Sequence, residues 1–189
     1  MLTTEIQLSR ALVAVWALPA IGAMVILFWG RAAGSTWWKR ARGAVRLLSV
    51  VYLIGILVLT LWPLEFDVSL TRIQLGNWEP LQGTLGWLLD PVNDLQAHFG
   101  ARDVIANVVL FAPLGLLLPF AIESKVSGIL TVIALGALSF GLELVQGLAV
   151  AQRTFDIDDA ISGALGALLG VVGAVVLRPI VTPKPPRRV

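Results

Sequence analysis

The residues able to do chemistry crowd into two short stretches. Glu143, Gln146, Arg153 and the run Asp156-Ile157-Asp158-Asp159 form one; Arg102, Asp103 and Asn107 form the other. Glu143 and Gln146 are three residues apart, so on a helix they share a face. Carboxylates and amides hydrogen-bond hydroxyl or amine donors, and an arginine fork holds a phosphate or carboxylate through paired bonds. Together they suit a sugar or lipid headgroup that also carries an acid. The four acids Glu143, Asp156, Asp158 and Asp159 are also hard oxygen donors, of the kind that hold Mg²⁺ or Ca²⁺ and activate a phosphate ester. Against that, Asp-x-Asp-Asp is short and common, and no second phosphate-binding motif accompanies it. The one histidine, His98, has no serine or aspartate partner in a recognisable arrangement. The absence of cysteine argues against a Cys/His zinc site and excludes a disulfide framework.

A structural use competes for the same residues. Asp156 suits the N-cap of a following helix, with Asp159 three residues on in a capping-box position and Arg153 neutralising the charge. Capping leaves Glu143, Gln146 and Asn107 unexplained, because they are poor filling for an apolar bundle. A carboxylate inside a membrane span costs several kcal/mol on some scales unless it is paired or wet. The expected ligand-binding set is therefore Arg102, Asn107, Glu143, Gln146, Arg153, Asp156 and Asp159, with capping and interhelical hydrogen bonding as the competing account. No catalytic residue is assigned, and neither a metal nor another cofactor is expected.

The elements that must carry these residues follow from composition. Of 189 residues, 57% are apolar and 14% charged, with a mean hydropathy of +0.86. A soluble domain carries about 25% charged residues, so this chain has far too little charge to coat a water-exposed surface. The remaining class is a small integral membrane protein. Charge-free stretches mark five spans, at Ala11–Gly30, Leu47–Leu64, Val104–Ile122, Val126–Ala149 and Ala160–Leu177. Each is long enough to cross a hydrocarbon core of about 30 Å at ~1.5 Å per residue. Lipid offers the backbone no partner, so the spans should be helices. The expected fold is an all-α polytopic transmembrane helix bundle of about five spans. A retained first helix is favoured over a cleaved signal peptide, since no A-x-A site follows it.

The pI of 9.5 points to nucleic acid at first sight, but the net charge is only +2. The basic residues instead track topology. Arg31, Lys39, Arg40, Arg42 and Arg46, then Lys125, then Arg178, Lys184, Arg187 and Arg188 fall in alternate connections; Arg10, Arg72, Arg102 and Arg153 fall in the others. Positive-inside asymmetry then places the N-terminus outside and the C-terminus in the cytoplasm, with Glu143 roughly 9 Å below the outer end of its span. Trp29, Trp37, Trp38 and Trp62 stand at span ends as interfacial anchors.

Connections are short except the 39-residue external loop Glu65–Asp103. Within it, Leu81–Leu89 reads either as a short helix on the outer leaflet or as a loop packed over the bundle mouth. Pro113 and Pro119 should kink or loosen the third span. Gly163, Gly166, Gly170 and Gly173 give the last span a small face, including a GxxxG, expected to be central and to pack within the chain. Residues 179–189 read as a disordered basic tail attracted to anionic lipid. The chain divides into an N-terminal membrane region, 1–59, a membrane domain, 60–178, and that tail.

Three blocks resemble the VanZ-like family of membrane proteins, named for a protein linked to teicoplanin resistance. They are Asn77-Trp78-Glu79-Pro80-Leu81; Asn107-Val108-Val109-Leu110-Phe111-Ala112-Pro113-Leu114-Gly115; and Glu143 through Gln146 and Arg153 to Asp156-Ile157-Asp158-Asp159, then Gly166. The resemblance covers roughly residues 60–178. It departs at Gly163, where members often carry Asn, which would leave the polar cluster one donor short. It implies a multi-pass protein of the plasma membrane and cell envelope, sometimes tied to tolerance of glycopeptide or lipoglycopeptide antibiotics, and brings no settled reaction.

The leading expectation is a protein binding or modifying a lipid, a lipid-linked envelope intermediate or an amphipathic antibiotic at the outer leaflet, with membrane lipids as partners and no role for nucleic acid. A divalent-metal-dependent membrane enzyme acting on a lipid-linked phosphate ester is the alternative, and a structural helper of another membrane protein a third. Whether a reaction is catalysed, and the oligomeric state, stay open.

Overall fold

A computed structural model describes residues 18–33, 35–61, 68, 70–81, 95–122, 127–150 and 153–182; the side chains of Ser35 and of residues 95–102 lie outside the described set. Among the described residues the regular structure is helical. The helices are α1 (Leu18–Ala32), α2 (Ser35–Leu61), α3 (Leu70–Gln74), α4 (Leu95–Ala121), α5 (Ser127–Ala149) and α6 (Ile157–Val181). Four helical stretches are long and apolar enough to cross a membrane: Thr36–Leu61, Asp103–Ala121, Ser127–Ala149 and Ile157–Val181. They match the second to fifth expected spans. α1 is a shorter apolar helix lying in the expected first span, whose residues 11–17 fall outside the described set.

The helices outrun the charge-free stretches that marked them. α2 takes in Lys39, Arg40, Arg42 and Arg46 at its start, and α4 begins at Leu95, inside what reads from sequence as loop. Absence of charge marks where lipid begins, whereas an α-helix continues for as long as its i→i−4 bonds and packing are satisfied. α6 likewise passes Leu177 and carries Pro179 inside its last turn, ending at a C-cap on Thr182 whose N–H donates to Arg178 O. Only two helical residues follow that proline, so residues 179–182 of the expected tail belong to the helix and its cap, and the rest of it lies outside the described residues. α4 runs unbroken through both Pro113 and Pro119.

Directions follow from cross-helix contacts. Arg46 Nε, near the start of α2, donates to Ala121 O at the end of α4 (2.7 Å), and Tyr52 Oη donates to Leu110 O (3.1 Å). α2 and α4 are therefore antiparallel. α4 and α6 run parallel along a seam of small residues. A Cβ on Gly166 would lie 2.4 Å from Val108 O, one on Gly170 2.1 Å from Ala112 O, and one on Gly115 2.2 Å from Ala167 O. Only hydrogen fits at these positions, so the small face of the last span packs within the chain as its spacing predicts. α5 lies antiparallel against α6, with Gly136 facing Ala164 and Gly147 facing Phe155.

Two apolar clusters fill the bundle. Tyr52, Ile56, Phe111, Leu114 and Leu142 belong to one; Leu27, Val45, Leu117, Phe120 and Ala174 belong to the other, nearer the α1–α2 turn. Outward positions such as Val50, Ile133, Leu169 and Val176 are exposed, as a lipid-facing surface requires. Hydroxyls facing inward satisfy themselves locally: Ser49 Oγ donates to Val45 O and Thr131 Oγ1 to Ser127 O.

Candidate functional site

All three sequence blocks meet at one end of the bundle, where α5 stops and α6 begins. The turn after α3 pairs with the entry to α6 as a single parallel bridge: Asn77 N donates to Phe155 O (2.8 Å) and Ile157 N donates to Asn77 O (3.0 Å). The Asn77 side chain completes the join, giving Nδ2–H to Asp156 Oδ1 (3.0 Å) and accepting Glu79 N at Oδ1 (3.1 Å). Asp156 is the N-cap of α6, in extended backbone, and its Oδ1 also accepts Asp158 N at 2.9 Å. The capping role expected of it is confirmed. Burial pushes the Asp156 carboxyl above its ordinary range, opposed by the hydrogen bonds from Asp158 N–H and the Asn77 amide. Asp158 reaches the other way, accepting Leu81 N at the end of the same turn, where Leu81 has a φ of 68°.

Phe155 is the apolar peg of this end. It is fully buried, stacked on Trp78 at 4.1 Å and edge-on to Phe140 at 5.8 Å. Gly76 has no room for a side chain beside it, since a Cβ there would lie 2.5 Å from Phe155 O, and Gly147 packs tightly, its Cβ position 3.0 Å from Phe155 N. Arg72 of α3 closes the end of α5, its guanidinium donating to Val150 O (3.0 Å) and Leu148 O (3.3 Å). Leu148 O lies in the last turn of α5 and Val150 O, which also accepts Arg153 N (3.3 Å), lies just past it, so a cation there complements the C-terminal end of the helix.

Beneath this frame lie the polar residues of α4, α5 and α6. Glu143 and Asp159 are buried, and Arg153 is exposed and interacts electrostatically with both. The Asp156 backbone N–H approaches the Glu143 carboxylate as a donor, and the Asn107 amide approaches that of Asp159. Asp159 is thus turned towards α4, while a glutamate from the neighbouring helix faces the N-cap N–H that a capping box would satisfy from within. Gln146 Nε2 donates to Thr60 O (2.8 Å), tying α5 to α2, and this fixes its other atom: Gln146 Oε1 is buried with no hydrogen-bond partner among the described residues.

The structure thus brings Asn107, Glu143, Gln146, Arg153, Asp156 and Asp159 to one end of the bundle. Arg102 is in α4 five residues before Asn107, but its side chain lies outside the described residues, as do residues 82–89 of the expected interfacial segment and the His98 side chain. The carboxylates are dispersed in their uses: Asp156 caps, Asp158 clamps the turn, and Asp159 faces Asn107. Among the described residues no three acidic or histidine side chains are grouped so as to hold a metal ion.

Three contributors escape sequence reasoning. Arg72 reads there only as one of the charges that set topology, and Phe155 is an apolar residue adrift in a polar linker. Ser139 is the third. At Gly163 a Cβ would lie 2.1 Å from Ser139 Oγ and 3.1 Å from Phe111 Cδ2, so a larger side chain has no space. Ser139 fills the volume into which an asparagine at 163 would grow.

No curated protein and no solved structure matches the chain. The Asn77 turn, the Asn107 block and the Glu143-to-Asp159 block, brought together at one end of a membrane-spanning bundle, lie inside a family match over residues 49–178, and the chain belongs to the VanZ/LLP1 family.

Proposed function

We propose that the polar end of this VanZ-family protein binds the headgroup of a lipid, lipid-linked or amphipathic ligand at the outer leaflet of the plasma membrane, and that this binding underlies tolerance of glycopeptide or lipoglycopeptide antibiotics. The observation that carries the reading is Gln146 Oε1, an acceptor buried without a partner among the described residues, at the bundle end that also buries Glu143 and Asp159. A buried orphan acceptor costs about 1–3 kcal/mol, and a bundle in lipid has little water to relieve it. Glu143 and Asp159 retain further lone pairs, so the cluster offers acceptors to a ligand rich in hydroxyl or ammonium donors. Arg153 supplies a cation at the rim for an acidic group on the same ligand. Placement at the outer leaflet is supported by the lysine and arginine asymmetry between the two ends.

The test is antibiotic susceptibility of a deletion strain expressing wild type, Glu143→Gln, Asp159→Asn or Arg153→Gln, with membrane abundance measured in parallel. Normal abundance with lost protection is the expected result. Full protection by all three variants at normal abundance overturns it. A second reading, that the cluster only ties helices, is favoured by the approach of Asp156 N–H to Glu143; lost abundance in step with lost protection would establish it.

A further inference from the structure

The opposite end of the bundle carries a cavity of about 440 Å³ on its flank, between the first half of α5 and the last half of α6. Its floor is Phe120 and Ala174, both buried, with Ser127 closing one side; its rim is Ile133, Val175 and Arg178, all exposed. The volume lies within the range of about 300–1,000 Å³ typical of small-molecule sites. The lining is apolar along its length and ends at one cation. From Leu168 to Arg178 the groove follows ten residues of α6, about 15 Å of rise, starting from the end of the helix.

We infer that this groove is a phospholipid site, taking one acyl chain along α5 and α6 and an anionic headgroup phosphate at Arg178. Hydrocarbon surrounds the rim because α5 and α6 both span the membrane, and a groove at that depth is filled by a lipid chain at no cost in hydration. Charge selects the lipid class. The described charged residues at this end are Arg31, Lys39, Arg40, Arg42, Arg46 and Arg178, with no acid among them, whereas the far end holds six acids, Glu79, Asp103, Glu143, Asp156, Asp158 and Asp159, against Arg72 and Arg153. Arg46 is bonded to the last residue of α4, one position beyond the Phe120 floor, which brings a second guanidinium close to the groove. The site is separate from the polar cluster and does not depend on the function proposed for it.

The experiment is native mass spectrometry of the full-length protein in detergent, titrated with phosphatidylglycerol, with phosphatidylcholine of the same chains, and with inorganic phosphate as competitor. One basic residue at a membrane surface is worth about fivefold in affinity for anionic lipid. Wild type should retain phosphatidylglycerol about fivefold or more over phosphatidylcholine, and phosphate should not displace it. Arg178→Gln should bring the two lipids towards parity, and Val132→Trp, which fills the groove, should lower retention of both. Ile133→Trp, at the exposed rim, repeats that test without disturbing the interior. Equal retention of the two lipids by wild type overturns the inference, as does displacement by phosphate or unchanged retention in both tryptophan variants.

Discussion

At one end of the bundle, helix termini are tied by side chains reaching from distant segments: Asp156 and Asn77 at the start of α6, Arg72 at the end of α5, Phe155 wedged between Trp78 and Phe140. At the other end the chain relies on contact. Gly30 lies so close to Ala41 that a Cβ there would be 2.5 Å from the alanine's, Leu27 and Val45 are fully buried, and one long-range bond, from Arg46 to Ala121 O, closes α4. Both ends meet the same demand, that terminal N–H and C=O groups find partners. The acidic end meets it with charged groups held out of water, and Gln146 Oε1 there is left without a partner among the described residues. The basic end leaves most of its charges exposed, and its buried hydroxyls, such as that of Thr131, bond within their own helix. Where a membrane protein gathers more polar groups than its helix ends consume, the excess marks a site.

The largest expected effect lies at the seam shared by both ends. Gly170→Val puts carbon against Ala112 O, which is backbone and has nowhere to move, so the variant should fail to accumulate in the membrane. Normal abundance would show that the two ends are not built on a common rigid pair. Gly163→Ala meets a side chain instead, and Ser139→Gly in the same chain should restore its abundance.

Phe155→Ala comes next, at about 3–5 kcal/mol in a thermal or denaturant unfolding series in detergent. The loss should be confined to the acidic end, with hydrogen exchange accelerated in residues 70–81 and around 153–157 and unchanged at Ala41–Val45. Exchange rising equally at both ends would erase the contrast between them.

Arg72→Gln should cost about 1.5–3 kcal/mol, since it removes charge-assisted bonds to carbonyls of α5. Arg46→Gln, which loses one such bond, should cost less. The reverse order would assign the stronger terminal lock to the basic end.

The smallest effect is on pH dependence. Burial holds Asp156 above its ordinary value of 3.8, so the folded protein keeps that proton over a window in which the unfolded chain has released it. The associated stability is fully present below 3.8 and is lost as pH rises through the folded-state value. Asp156→Asn can still cap the helix and should flatten this part of the stability curve, read as melting temperature against pH. An unchanged curve would mean that another group governs it.

The spans were legible because charge is excluded from hydrocarbon so strongly that its absence marks them, and the small face at Gly166 and Gly170 because helical spacing gathers it on one side. Asp156 as a cap was legible for a local reason, its position directly before an apolar run. What could not be read was set by tertiary approach. Nothing near Asn77 in the chain says that its partner is Asp156, and nothing at Gly163 says that Ser139 has filled the space. Arg72 carries a second role, capping α5, that a charge count cannot separate from topology. Phe155 left one usable trace, a large aromatic between Thr154 and Asp156, where a mere linker has no need of it.

The bridge between Asn77 and Asp156 spans 79 positions of chain. A ribosome adding roughly 5–20 residues per second leaves Asn77 waiting about 4–16 s for its partner to be made. During that interval α4 and α5 must be synthesised and inserted while the turn at 77–81 has nothing to close upon. α6 therefore supplies the latch for a turn made well before it, and assembly of the polar end is gated by synthesis of the start of that helix. A chain stalled or truncated before residue 156 would lack α6 and, with it, both the seam against α4 and the polar end.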